Sequence, residues 1–365
     1  MKKIIFLYPN FYNEKNDKLK IGGVETYLKN LCNISISIGL KPYVIQNSKK
    51  YFEKKISNIT IIGTGNYKNK YLLKKAYTIA DKNNDILVFG SSHMNLKNDF
   101  THSIAIQHGI YWDKPKVKNI LFSKNITTFL KCFQIFLEIK RNQRVNKIIC
   151  VDYNYLNWYR ALTRLTNENL IVIPNFTPIP FSEKKAYERN KIKIIYARRF
   201  EEIRGITLME KAFSILLKKY NNIELTFAGE GSLSSEVQSF FSDNKNVHFT
   251  SYEIEQSVSF HKNFDIAIIP STASEGTSLS LLEAMAAKCC IITTNIGGLS
   301  NIVINNFNGI IINPKINELV AAIEYLIKNP QEIGRMAETG YETVKQGFSY
   351  EQWQKNWIRV LKDEM

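Results

Sequence analysis

The chain has 365 residues, 44% hydrophobic and 12% aromatic. It is therefore too apolar for a disordered polypeptide and too long for one small core, so two domains are expected. The formal charge of +16 is one-sided: residues 1–180 hold 28 Lys and Arg against 11 Asp and Glu, whereas residues 181–365 hold 21 against 22. Such a basic half suits a polyanion, whether nucleic acid, an anionic bilayer or a phosphorylated acceptor.

The first apolar run, Ile4 to Leu7, ends at Pro9 with no small-residue cleavage site, so it reads as a first strand and not as a signal peptide. No run approaches the roughly 18–20 apolar residues needed to span a bilayer. The five cysteines, at 32, 132, 150, 289 and 290, are odd in number and lack C-x-x-C spacing. They read as free core thiols in a reducing compartment, with no zinc site. The expected location is the cytoplasm, with at most a peripheral seat on the inner face of the cytoplasmic membrane.

Strand-like runs then alternate with helix-like ones, the pattern of a doubly wound α/β fold. In the first half the strands are expected at 3–7, 42–46, 59–62, 86–89, 103–106 and 147–151. Gly22-Gly23-Val24-Glu25 follows the first of them, over a dozen residues on, without the G-x-G-x-x-G spacing of a dinucleotide site. It reads equally as a flexible loop or a helix cap. Ser91, Ser92, His93 and His108 could be mistaken for a hydrolase triad, but no G-x-S-x-G elbow accompanies them. Residues 114–147 interleave Ile120, Leu121, Phe122, Phe129, Leu130, Phe133, Phe136 and Leu137 with Lys118, Lys124, Lys131, Lys140, Arg141, Arg144 and Lys147. Such a segment can lie on anionic lipid, or it is an ordinary core-facing helix with solvated lysines.

Three prolines in Pro174-Asn175-Phe176-Thr177-Pro178-Ile179-Pro180 make a stiff connection, and the domain boundary is placed there: 1–180 and 181–349. The last segment, about 350–365, has Trp353, Trp357, Val360 and Leu361 at helical spacing and is expected to pack back on the first domain.

Second-half strands are expected at 192–196, 223–228, 247–249, 266–269, 291–293 and 309–312. Arg199 and Arg204 flank the loop after the first of these, suited to diphosphate oxygens or simply to a solvated basic turn. Ala228-Gly229-Glu230-Gly231 is a tight turn, and Tyr252 follows the next strand, where a base could stack. The most informative stretch runs from Glu275-Gly276-Thr277-Ser278 to Glu283-Ala284-Met285-Ala286. A helix starting near Thr277 aims free N–H groups and its positive dipole end at an anion, while Glu275 and Glu283 can each meet hydroxyls. Phosphate between two hydroxyl-bearing groups describes a nucleotide-sugar. Alone, the pattern would be a common helix start; its place after a buried parallel strand favours a site.

In this order, these motifs resemble glycosyltransferase family 4, the retaining nucleotide-sugar transferases of GT-B fold. The matching residues are Arg199…Arg204-Gly205, Gly229-Glu230-Gly231, Glu275-x7-Glu283, Gly297-Gly298-Leu299 and Asn306-Phe307-Asn308-Gly309. More loosely, Gly22-Gly23 resembles the family's acceptor-side loop and His108-Gly109 its His-Gly pair. The resemblance implies two doubly wound Rossmann-like domains facing each other across a cleft, acceptor-binding first and donor-binding second.

By that resemblance Arg199 and Arg204 hold the diphosphate, with Gly276, Thr277 and Ser278 adding backbone N–H groups. Glu275 binds hydroxyls of the transferred sugar, Glu283 binds the ribose, and Gly229, Gly231 and Tyr252 line the donor site. His108 lies near the reaction centre. Three positions depart from the pattern: Arg204 replaces a usual Lys, Arg198 a usual Gly, and Asn301 a common acidic residue. The implied chemistry is same-face, configuration-retaining transfer, from a UDP-sugar first and a GDP-sugar second. The acceptor would be a glycan or a polyprenyl-diphosphate-linked species in surface polysaccharide, lipopolysaccharide or capsule biosynthesis. No Asp-x-Asp occurs, so neither a metal nor another cofactor is expected. A nucleotide-sugar epimerase or hydrolase of the same fold is the alternative. A nucleic-acid-binding protein is the remote one, because the basic residues form none of the familiar modules.

Overall fold

The computed structural model describes residues 1–13, 18–20, 22–110, 124–163, 169–180, 191–273 and 275–365, the side chains of 124–127 and 254 excepted. The chain forms two compact units, one of residues 1–108, 121–174 and 353–365, the other of 109–120 and 175–352.

In the first unit the strands are β1 (Lys3–Leu7), a short antiparallel pair of β2 (Tyr12–Asn13) and β3 (Lys18–Leu19), β4 (Lys41–Gln46), β5 (Tyr51–Ile56), β6 (Ile59–Thr64), β7 (Ile86–Phe89), β8 (His102–Gln107), β9 (Lys147–Cys150) and β10 (Leu170–Val172). Helices α1 (Gly23–Ser37), α2 (Lys70–Ile79), α3 (Lys124–Asn142) and α4 (Tyr153–Thr163) alternate with them. The main sheet runs β10-β9-β8-β7-β1-β4-β6-β5, parallel throughout except for β5. Its central strands are continuous apolar runs, as burial on both faces requires, and Ile4, Ile5, Phe6 and Ile86 to Phe89 have no exposed surface.

Edge strand β5 alternates exposed and half-buried residues, and it pairs with β6 through Ser57 and Asn58, both at positive φ. Two left-handed residues match the two-residue turn whose twist suits a hairpin.

The second unit contains β11 (Ile192–Ala197), α5 (Ile206–Lys219), β12 (Ile223–Ala228), α6 (Ser234–Phe240), β13 (Val247–Thr250), α7 (Ser257–His261), β14 (Ile266–Ile269), α8 (Leu279–Ala286), β15 (Cys290–Thr294), β16 (Ile310–Ile312), α9 (Ile316–Lys328) and α10 (Pro330–Gly347). The sheet order β13-β12-β11-β14-β15-β16, all parallel, is the 3-2-1-4-5-6 order of a Rossmann fold. Phe213, Phe227 and Ile292 are among the residues of its main core.

The last helix, α11 (Tyr350–Asp363), carries its greasy residues into the first unit from Trp353 onward. Trp353, Trp357, Val360 and Leu361 are buried, and Trp357 Nε1 donates to Tyr27 Oη on α1 at 2.8 Å. No helix among the described residues is long and apolar enough to cross a membrane. All five cysteines are free, but the expectation that all are core thiols fails at Cys132, which is exposed on α3.

Candidate active site

Between neighbours β11 and β14 the strand order of the second sheet reverses, so the loops leaving their carboxyl ends border the crevice where open α/β sheets take ligands. Two backbone contacts lace these loops together. Thr272 N–H donates to Ile203 O at 3.0 Å, and Gly205, at φ +80°, lies so close to Pro270 that a Cβ would stand 1.9 Å from its carbonyl oxygen. Only glycine fits there.

The side chains meet on one oxygen. Arg198 Nη2 donates to Glu275 Oε2 at 2.7 Å, Ser271 Oγ donates to it at 2.5 Å, and Arg204 Nη1 donates to it as well. Arg198 Nη1 also donates to Ser271 Oγ at 2.6 Å. The Arg198 and Glu275 side chains are only 6% and 8% exposed, Arg204 19%. Burial pushes the Glu275 carboxyl up, but Arg198, Arg204 and the Ser271 hydroxyl outweigh it and hold the carboxyl below its ordinary range. Arg199 is exposed.

Glycines aim the carboxylate. Gly297, at φ +56°, brings its backbone against Glu275, where a Cβ would be 2.1 Å from the Glu275 carbonyl oxygen, and Gly298 N–H donates to that oxygen at 2.9 Å. Gly229 and Gly231 serve the neighbouring loop in the same way. Their missing side chains make room for the backbones of Arg198 and Phe200.

Residues 276–278 lead into α8, with Ser278 as N-cap making no side-chain cap bond, so the helix begins two residues later than the expected Thr277. Thr277 is buried, and its carbonyl accepts from Asn175 Nδ2 at 2.6 Å. On α8, Glu283 accepts from Ser257 Oγ at 2.6 Å, and burial pushes its carboxyl up despite that bond. Tyr252 lies against Phe260, ring centroids 4.6 Å apart and nearly parallel, and burial pushes its hydroxyl up to about 12.

In the first unit the sheet order reverses between β1 and β7. Beside that point His108, just past β8, donates Nε2–H to Gly90 O at 3.0 Å and packs edge-on against Tyr27 at 5.4 Å. Burial lowers its pKa to about 4, so the ring is neutral and Nδ1 is its acceptor nitrogen. Gly22 is the N-cap of α1 in extended backbone. A Cβ there would meet only the tip of the Glu25 side chain, which can move aside; that carboxylate accepts from Tyr8 Oη. Gly23 is the first helical residue.

Of the residues singled out from sequence, Arg204, Glu275, Gly276, Thr277 and Ser278 share the β11–β14 crossing, while Glu283 and Tyr252 belong to a neighbouring pair of contacts around Ser257 and Phe260. His108, Gly22 and Gly23 belong to the first unit. Sequence reasoning gave Arg198 and Ser271 no role. The signal for Arg198 was the arginine standing where a glycine is usual; nothing in the sequence singled out Ser271.

This architecture is the GT-B fold. Over its full length the chain superposes on sucrose-phosphate synthase from Thermosynechococcus elongatus with a TM-score of 0.78 at 15% identity, covering 99% of that chain. It superposes on HepE from Anabaena in complex with UDP-glucose with a TM-score of 0.73 at 13% identity, covering 100% of both. Residues 180–343 match the family of glycosyl transferases group 1. It is 30% identical over 155 residues to an uncharacterized glycosyltransferase of Methanocaldococcus jannaschii (40% of this chain, 43% of that one). It is 27% identical over 207 residues to the capsular polysaccharide biosynthesis glycosyltransferase CapM of Staphylococcus aureus (51% and 54%). The chain thus spans about half the length of these curated relatives.

Proposed function

We propose that the protein transfers a sugar from a nucleotide-sugar, UDP-linked first and GDP-linked second, to a glycan or polyprenyl-diphosphate-linked acceptor with retained configuration. The observation that carries this reading is the buried Arg198–Glu275–Arg204 cluster beside the start of α8, within the residues that match glycosyl transferases group 1. Arg199 and Arg204, with the amides of Gly276, Thr277 and Ser278, take the diphosphate. Glu275 already accepts three hydrogen bonds on Oε2, and Oε1 receives a hydroxyl of the donor sugar. Glu283 takes the ribose, and Tyr252, Gly229 and Gly231 border the base. From the first unit, His108 acts as a neutral imidazole and Gly22-Gly23 as the acceptor-side loop.

In the reaction the bond from the sugar's anomeric carbon to the diphosphate oxygen breaks, and the acceptor oxygen bonds to that carbon on the same face. The acceptor proton passes to the departing diphosphate. The arginines stabilise the charge growing on the leaving group, which is where most of the rate is gained, and no metal is required. UDP and UDP-glucose in complexes of neighbours of the same fold, and the capsular role named for one relative, support the donor and the surface-polysaccharide setting. Nucleic acid is not a partner in this reading.

A thermal-shift screen against UDP, GDP, ADP and their sugars tests it, since a ligand that binds the folded state raises the midpoint. A shift with UDP or GDP, followed by nucleotide release that needs added acceptor and survives EDTA, is the expected result. Release without acceptor would make the protein a hydrolase or epimerase instead, and no shift with any nucleotide would reject the reading.

A further inference from the structure

Helix α3 is built inside out. Its inward row, Lys131, Ile135, Glu138 and Asn142, is partly or fully buried. Its outward row, four and three residues apart and about 200° round the helix, is Phe129, Phe133, Phe136 and Lys140. Phe129, Phe133 and Phe136 are 69%, 52% and 51% exposed, with Leu130 beside them. A helix of a globular protein ordinarily does the reverse.

The inward face cannot be exchanged for the outward one. Glu138 accepts from Ser92 Oγ at 3.0 Å and Gln107 Nε2 at 3.3 Å, while Asn142 accepts from Asn95 Nδ2 at 3.3 Å and donates to Tyr155 Oη. Turning the helix to bury the phenylalanines would strip these buried groups of their partners. The aromatic row is therefore fixed outward, and something other than this unit's own core must cover it.

Charge selects the occupant. Lys140 Nζ lies 5.0 Å from the centre of the Phe136 ring on this face, Arg141 beside it pairs back with Glu138 at 3.9 Å, and this half of the chain carries the whole basic surplus. We infer that the outward face of α3 is a docking surface for an anionic lipid bilayer, its phenylalanines entering the interface and Lys140 meeting the headgroups. Lys114, Lys118, Ile120, Leu121 and Phe122 of the same sequence segment, and the Lys124 side chain, lie outside the described residues and carry no part of this inference.

The test is co-sedimentation of the full chain with phosphatidylglycerol–phosphatidylcholine vesicles and with phosphatidylcholine alone, at low and high salt. Expected is binding to the anionic vesicles that weakens with salt. It should fall about tenfold or more in Phe133→Ser/Phe136→Ser and about fivefold in Lys140→Ala. Both substitutions alter exposed side chains, and far-UV dichroism checks that the fold survives. No vesicle binding, equal binding to both vesicle types, or undiminished binding by both variants would overturn the inference. So would a wild-type dimer in light scattering that the double variant converts to monomer, because the occupant would then be a second copy. Partition requires neither donor nor acceptor, so its failure leaves the transferase reading standing.

Discussion

Arg198 Nη2 meets Glu275 Oε2 at 2.7 Å, and Ser271 Oγ bridges the two side chains by accepting from the guanidinium and donating to the carboxylate. Glu275 is thus held as an anion before any donor arrives. Replacing it by Ala frees Arg198 and Arg204 for phosphate, so UDP affinity should persist while transfer falls about a hundredfold, the scale of a misplaced sugar. Isothermal titration beside an initial-rate assay checks this; full activity would remove Glu275 from the site.

The pH dependence of the same pair has a definite sign. A carboxyl whose folded pKa is depressed adds stability above its unfolded pKa and loses it as pH falls through the folded one. The stability advantage of wild type over Glu275→Gln should be largest near neutrality and shrink below about pH 4, the ordinary carboxylate range. Thermal midpoints across pH would show it. Arg198→Leu, leaving a buried carboxylate short of one cation, should cost on the order of 2–3 kcal/mol.

Glu283 behaves oppositely. Burial raises its folded pKa, so wild type loses stability as pH rises from the unfolded carboxyl range through the folded value. Glu283→Gln keeps an acceptor for Ser257 Oγ and should melt higher than wild type at neutral pH, while binding nucleotide more weakly. A lower midpoint at pH 7 would contradict the burial assigned to this carboxyl.

His108 should stay neutral down to about pH 4. Its folded pKa lies below the unfolded value near 6.5, so it erodes stability as pH falls from about 6.5 toward 4, an erosion absent from His108→Phe. Imidazole resonances followed by NMR should show no midpoint for this ring between pH 5 and 8.

Trp357 tests the closing helix. It is fully buried and donates to Tyr27 Oη, so Trp357→Ala should destabilise the first unit by about 3–5 kcal/mol. The loss should appear in urea unfolding of that unit, with nucleotide binding by the second unit retained.

Continuous apolar runs such as Ile266 to Ile269 announce buried parallel strands by composition alone, and those elements were legible from sequence. Strand β5 was not, because Tyr51 to Ile56 sets three consecutive charged residues, Glu53, Lys54 and Lys55, between its apolar ones and turns through Ser57-Asn58, not the Asn-Gly pair that flags a hairpin. At the site, the strand-end loops located Arg204 and Glu275. Linear order could not tell which of two adjacent arginines is buried, because Arg198 and Arg199 differ only in the direction the chain gives them as it leaves β11. Ser271 is an ordinary serine until Arg198 folds onto it.

Gly229, Gly231 and Gly297 rest against the chain's own backbone, so each is demanded by folding whether or not catalysis occurs. A chain of this fold with no enzymatic task would be under pressure to keep all three, while the residues at 275 and 204 are free to drift together into an apolar pair. Pseudoenzymes of this architecture should therefore retain the glycine signature intact and betray themselves in the charged letters.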